Sequence, residues 1–169
     1  MNLPDTLSIR VITLSDRASR GEYEDLSGPA LLDSLVVYFQ DRGVRVELDA
    51  VIIPDDGQQL RELVLGYVEE EVHAIFTTGG TGLGPRDITP DVIKPMLDKE
   101  IPGIMELIRV KYGMVKASAL VSRAIAGLIG KTLIYCLPGS VKAVKEYSSE
   151  ILPTLLHSIR MVAGIDDHG

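Results

Sequence analysis

Four glycines fall within the six residues Gly79-Gly80-Thr81-Gly82-Leu83-Gly84. Such a run lets the backbone close on a ligand while several N–H groups converge on one concavity, an arrangement suited to phosphate. No Lys-Ser/Thr pair follows at P-loop distance, and Pro85 occupies the last glycine position of a dinucleotide G-x-G-x-x-G counted from Gly80. The alternative is a turn that needs glycine only for close packing. Asp55 and Asp87 add two carboxylates after different strands, which the topology can place side by side. Two carboxylates suffice for Mg²⁺ in a phosphoryl-transfer site, where substrate phosphates and water complete the shell. Each also has a local role open to it, Asp55 or Asp56 as a helix N-cap and Asp87 as a partner of Arg86.

Three further segments carry polar groups, two of them strand-to-helix turns like those of Asp55 and the glycine run. Ser15 and Asp16, with Arg17, can bind ligand hydroxyls or phosphates, or serve ordinary turn chemistry. Ser122 and Arg123 offer a hydroxyl and a guanidinium suited to phosphate, or a surface pair. Pro138-Gly139-Ser140 presents amides at a helix N-terminus, which attracts anions, unless Ser140 is only a cap. His73, His157 and His168 lack metal-ligand spacing, and there is no zinc motif. Cys136 lies in the apolar run Leu133 to Leu137 and reads as a core residue rather than a nucleophile.

The elements that must hold these turns follow from hydrophobic period. Ser8 to Leu14 reads as a strand that gives way to a polar loop from Ser15 to Asp25. Ser27 is expected to cap a helix with Pro29 in its first turn and Leu31, Leu32, Leu35, Val36 and Phe39 at helical spacing, ending at Gly43. Val44 to Ile53 is a strand running from an edge into the interior. Leu60, Leu63, Val64, Tyr67 and Val68 then mark a helix with Asp56 as N-cap and Gln59 completing a capping box. Ala74-Ile75-Phe76 is a buried strand leading into the glycine run. Helices are expected from Thr89-Pro90 and from Pro102, a buried strand from Thr132 to Leu137, and a helix after Ser140 that breaks at Pro153 before a last one. Tyr112 to Lys131 reads as two short strands or as loop plus strand. Strands alternating with helices imply an α/β three-layer sandwich around a mostly parallel sheet. Ligands then bind beyond the carboxyl ends of the strands, where the turns above fall.

The chain has 169 residues, 46% hydrophobic and 24% charged, with two Phe and no Trp. That fits a single domain spanning residues 1–169 around an aliphatic core. A net charge of −7 argues against non-specific nucleic-acid binding, which needs a basic patch. No secretory signal is evident at Met1 to Asp5, and Arg123 and Lys131 interrupt the most apolar stretch, Ala117 to Ile134. A cytoplasmic protein with no membrane partner is expected. Ile104, Ile108 or the last helix would supply an apolar surface for self-association.

Thr77-Thr78-Gly79-Gly80-Thr81-Gly82 with Pro85-Arg86-Asp87-Ile88-Thr89-Pro90 resembles the signature of the molybdopterin-binding fold. Ser15-Asp16, Asp25-Leu26-Ser27-Gly28-Pro29, Ser122-Arg123, Gly127 to Lys131 and Leu137-Pro138-Gly139-Ser140 extend the likeness in order from about Ile9 to Ile159. Within that fold the opening Ser15 to Ser19 looks most like the molybdopterin adenylyltransferases of the MogA/MoaB type. The resemblance implies an enzyme of molybdenum cofactor biosynthesis that uses Mg²⁺ and ATP to convert molybdopterin to adenylyl-molybdopterin and pyrophosphate. The family's catalytic aspartates match Asp55 and Asp87, and its ligand-binding regions match Gly79 to Gly84 and Ser140. It further implies a homo-oligomer, trimer or hexamer, and hand-off of product to a molybdenum-inserting protein of the MoeA type. A non-catalytic molybdopterin-binding scaffold and a nucleotide hydrolase similar to CinA are the alternatives. Pro138-Gly139-Ser140-Val141 departs from the many relatives with a second proline or asparagine after the glycine.

Overall fold

The computed structural model describes residues 3–165; His168 lies outside them. Six strands form one sheet: β1 (Thr6–Leu14), β2 (Arg45–Ile53), β3 (Ala74–Thr78), β4 (Lys99–Glu100), β5 (Ile125–Ile129) and β6 (Thr132–Leu137), in the order β2-β1-β3-β6-β5-β4. The pairs β1–β2, β1–β3 and β3–β6 are parallel, while β5–β6 and β4–β5 are antiparallel. Six helices connect and cover it: α1 (Asp16–Ser19), α2 (Ser27–Gln40), α3 (Gly57–Glu69), α4 (Thr89–Ile93), α5 (Pro102–Gly113) and α6 (Val141–Val162).

Because side chains alternate along a strand, the central strands feed two cores. Leu7, Ile9, Val11, Phe76, Tyr135 and Leu137 pack with Leu31, Leu35 and Phe39 of α2, Met105 and Ile108 of α5, and Ile151 and Leu155 of α6. Ile12, Leu14, Ile75, Ile134 and Cys136 pack on the other face with Leu60 and Val64 of α3 and Ile93 of α4. The expected three-layer, mostly parallel arrangement is therefore present. Register places Phe76 beside Tyr135, and their rings stack with centroids 5.0 Å apart. Cys136 is fully buried, which pushes its thiol up to about 12, so it is a core residue.

Several local expectations are corrected. Asp25, not Ser27, satisfies the start of α2, its Oδ1 accepting from the Ser27 and Gly28 N–H groups at 3.0 and 3.1 Å. Asp56 caps α3, accepting from Gln58 and Gln59 N–H. Its own N–H donates to the Pro54 carbonyl, however, so the reciprocal half of a capping box is absent. The segment Tyr112 to Lys131 holds the end of α5, a 3₁₀ turn at Ala117–Val121 and a single strand, β5. On α5, Ile108 is buried and Ile104 packs against the core; the exposed apolar residues are Leu107 and Val110.

Pro153 sits inside α6 and does not end it. The buried stripe Val144, Tyr147, Ile151, Leu152, Leu155, Ile159 runs unbroken past it, and that packing outweighs one lost backbone bond. Proline costs about 3 kcal/mol relative to alanine in a helix interior, less about 1 kcal/mol because it also restricts the unfolded chain. Pro153→Ala is therefore expected to raise the urea midpoint, by about 2 kcal/mol of stability. An unchanged or lower midpoint would show that the local backbone has relaxed around the ring.

His73 precedes β3, where its Nδ1 accepts from the Ser8 backbone N–H at 3.0 Å. Burial lowers its pKa below 6.5. The folded state thus favours the neutral ring. The associated stability is present above pH 6.5 and lost as pH falls through the lower folded value. Denaturant unfolding from pH 7.5 down to 5 is expected to show this loss, and His73→Gln to remove that part of the slope.

Candidate functional site

The four parallel strands end on the same side, and β1 is the switch point from which the chain first pairs β2 and then β3. Open α/β sheets bind ligands at such a point. Here the turns that hold Ser15-Asp16, Asp55-Asp56, Gly79 to Asp87 and Pro138 to Ser140 converge.

The turn after β3 shows why glycine is required. Gly79 adopts φ +104, and a Cβ there would collide with the Leu14 carbonyl at the end of β1. Its N–H donates to the Leu137 carbonyl of β6 at 3.0 Å, and its own carbonyl accepts from the Thr89 hydroxyl at 2.9 Å. A Cβ on Gly139 would in turn meet the Gly79 Cα at 3.1 Å. Gly80 is held by Thr89, whose N–H donates to its carbonyl. Farther along, the Asp87 Oδ2 accepts from the Gly84 N–H at 2.8 Å, closing the loop on itself.

Asp55 and Asp87 follow β2 and β3, the two strands that flank β1, and the turn of Ser15 and Asp16 stands between theirs; the charge of Asp87 still reaches Asp55. Asp16 and Asp55 form a reciprocal clasp: Asp55 N–H donates to Asp16 Oδ1 at 3.0 Å, and Asp16 N–H to Asp55 Oδ2 at 3.1 Å. Arg86 reaches across from the glycine loop and donates to both Asp16 oxygens, at 2.9 and 2.7 Å. Arg86 thus pairs with Asp16 and not with Asp87. The Arg86 bonds and the Asp55 N–H hold the Asp16 carboxyl below the usual aspartate value. Asp55 is raised instead, by burial first, with the negative charges of Asp16 and Asp87 adding to it. The Ser15 hydroxyl caps α1 by accepting from the Ala18 N–H at 3.1 Å.

Two cavities open here. The first, about 450 Å³, lies between the ends of β3 and β6 and is lined by Gly79, Gly80, Thr81, Gly82, Asp87, Ser122, Pro138, Gly139 and Ser140. That volume is within the range of small-molecule sites. The second, about 340 Å³, lies across the Gly139-Ser140 turn and includes Ser15, Tyr23 and Asp25. Asp55 lines neither. The Ser140 side chain accepts from the Ala143 N–H and caps α6, whose N-terminus faces the same region.

Arg123, suited by type to phosphate or to a surface pair, lines neither cavity. Its guanidinium is engaged by Asp91 and by the carbonyls of Gly82 and Asp87. Ser122 does reach the first cavity, where its hydroxyl accepts from Tyr147 at 3.1 Å. Sequence reasoning passed over Tyr112, Lys116, Lys142 and Tyr147 on the cavity wall. Lys142 did leave a signal, a cation on the second residue of α6 that opposes the helix dipole; it pairs with Glu146, on the same cavity wall, at 3.6 Å.

The glycine turn, the α6 N-terminus, two lysines and two carboxylates, Asp87 and Glu146, surround a cleft at the ends of parallel strands, a composition of an α/β domain suited to a phosphorylated ligand. The chain belongs to the family described as the probable molybdopterin binding domain, whose model matches residues 10–157. Molybdopterin adenylyltransferase from Helicobacter pylori strain J99 is 34% identical over 160 residues, covering 94% of this chain and 89% of that protein. Its counterpart from Pyrococcus furiosus is 36% identical over 169 residues, covering 92% and 93%. The chain spans only 22% of Dictyostelium discoideum gephyrin and 49% of a bifunctional molybdenum cofactor biosynthesis protein from Chlorobaculum tepidum, at 35% and 36% identity. Among solved structures, MoaB from Thermus thermophilus superposes with a TM-score of 0.82 at 36% identity, covering 94% of this chain and 97% of that one.

Proposed function

We propose that this protein acts in molybdenum cofactor biosynthesis by transferring the adenylyl group of ATP to molybdopterin. The observation that carries this reading is the convergence of the Gly80 to Gly82 backbone, Asp87, Lys116, Lys142 and the α6 N-terminus on one cavity. The terminal phosphate of molybdopterin attacks the α-phosphorus of ATP in line. A new P–O bond forms, the bond to the α,β-bridging oxygen breaks, and pyrophosphate leaves with the electron pair. The attacking phosphate is already ionised at pH 7, so no strong general base is needed. Positioning and charge neutralisation do the rest. Loop amides hold phosphate oxygens, while Lys116 and Lys142 offset the repulsion between two anionic substrates and a chain of net charge −7.

The residues suit Mg²⁺ arriving with ATP. Asp55 and Asp87 offer hard oxygen donors, and the raised pKa of Asp55 reflects burial and neighbouring negative charge that a cation would relieve. Among the described residues no group of three or more His, Cys, Asp and Glu forms a protein-only metal cage. Bound with ATP, the ion would neutralise charge on the phosphates. In the same reading the protein works in the cytoplasm as a homo-oligomer, trimer or hexamer, and passes its product to a MoeA-type partner. Among the described residues no helix is long and apolar enough to cross a membrane.

The test is pyrophosphate release from Mg-ATP by purified protein, with and without molybdopterin. Release that depends on molybdopterin and yields adenylyl-molybdopterin is expected. Binding without release would replace the transferase with a scaffold, and release without pterin would replace it with a nucleotide hydrolase.

A further inference from the structure

Arg123 stands behind the glycine loop and gathers its carbonyls. Its backbone N–H donates to the Thr81 carbonyl at 2.9 Å, its Nε to Gly82 at 2.8 Å, and its Nη2 to Asp87. Nη1 lies 2.7 and 2.9 Å from the two Asp91 oxygens, which fixes the plane of the guanidinium. Within a trans peptide unit the carbonyl and the following N–H point in opposite directions. Drawing these three carbonyls toward Arg123 therefore turns the N–H groups of Gly82, Leu83 and Ile88 away from it. Thr81, Gly82 and Asp87 line the first cavity and Arg123 does not.

We propose that Arg123 is a positioning residue that fixes the 81–88 loop from its outer side, so that its amides are presented to the phosphate groups of the ligand and the Asp87 side chain is held on the cavity wall. It does not touch the ligand. Lysine cannot replace it, because a single ammonium lacks the planar fork that serves two carbonyls and a carboxylate at once. The consequence for turnover rests on the proposed adenylyl transfer, whereas the shape of the loop does not.

The experiment compares wild type with Arg123→Lys and Arg123→Ala by hydrogen–deuterium exchange, by calorimetric titration with inorganic pyrophosphate, and by chemical rescue with ethylguanidinium. Both variants are expected to exchange faster at residues 79–88 while the amides of β1 and β6 keep their protection. Pyrophosphate affinity is expected to fall roughly ten- to hundredfold, the scale of one or two charge-assisted hydrogen bonds. Ethylguanidinium should restore protection and affinity together in Arg123→Ala. Wild-type exchange at 79–88 in both variants would overturn the proposal, even with weakened binding, since Arg123 would then be a direct ligand. A loosened loop with unaltered pyrophosphate affinity would also overturn it. Should wild-type protein fail to release pyrophosphate from ATP, the adenylyl-transfer reading falls, while the exchange and titration still decide the role of Arg123.

Discussion

Asp87→Asn is expected to lower adenylyl transfer by roughly 10²–10³-fold, the usual cost of removing one preorganised electrostatic group at a reacting phosphate. The fold should be nearly untouched, because the asparagine carbonyl oxygen can still accept from the Gly84 N–H as Oδ2 does at 2.8 Å. What is lost is the negative charge on the cavity wall. Steady-state rates of pyrophosphate release, set beside thermal melting, check both halves of the expectation. A variant within threefold of wild type at saturating Mg-ATP would remove Asp87 from the metal-binding role.

Gly79→Ala is expected to be the most destabilising single change at the site. A side chain at φ +104 costs about 1–3 kcal/mol of backbone strain, and forcing atoms into a packed position costs about 1–3 kcal/mol more. The sum, roughly 2–6 kcal/mol, is large against a typical total of about 5–15 kcal/mol. In a chain of this size it corresponds to a fall in melting temperature of about 5–20 °C. Pushing the end of β1 away from the glycine turn should also abolish turnover in whatever fraction stays folded. Denaturant unfolding gives the measure, and a loss under 1 kcal/mol would show that the Leu14 carbonyl can give way.

The central strands β3 and β6 were legible because they are buried on both faces and leave unbroken apolar runs, Ala74 to Phe76 and Thr132 to Leu137. The two-residue β4 left no such trace, since Lys99 and Glu100 are exposed and join β5 through their backbone. Pro153 misled because a local rule was set against a stripe of buried residues longer than the rule's reach. The glycine run, Ser122 and the Pro138 to Ser140 turn were legible as parts of one site, since backbone needs and strand ends both show in sequence. The assignments of Arg86 and Arg123 were not. Which carboxylate or carbonyl an arginine finds depends on strand order, and the order β2-β1-β3 sets Asp16, not Asp87, opposite Arg86.

The clasp between Asp16 and Asp55 bears on how such a chain can diverge. Each residue's backbone is read by the other's side chain, and the Ser15 N–H also donates to the Ile53 carbonyl at 3.0 Å. Inserting or deleting one residue in either turn would break both halves of the exchange at once. The turns after β1 and β2 should therefore drift in composition while keeping their lengths locked together. Variation in loop length should instead accumulate on the opposite rim, where the Gly43 turn joins α2 to β2.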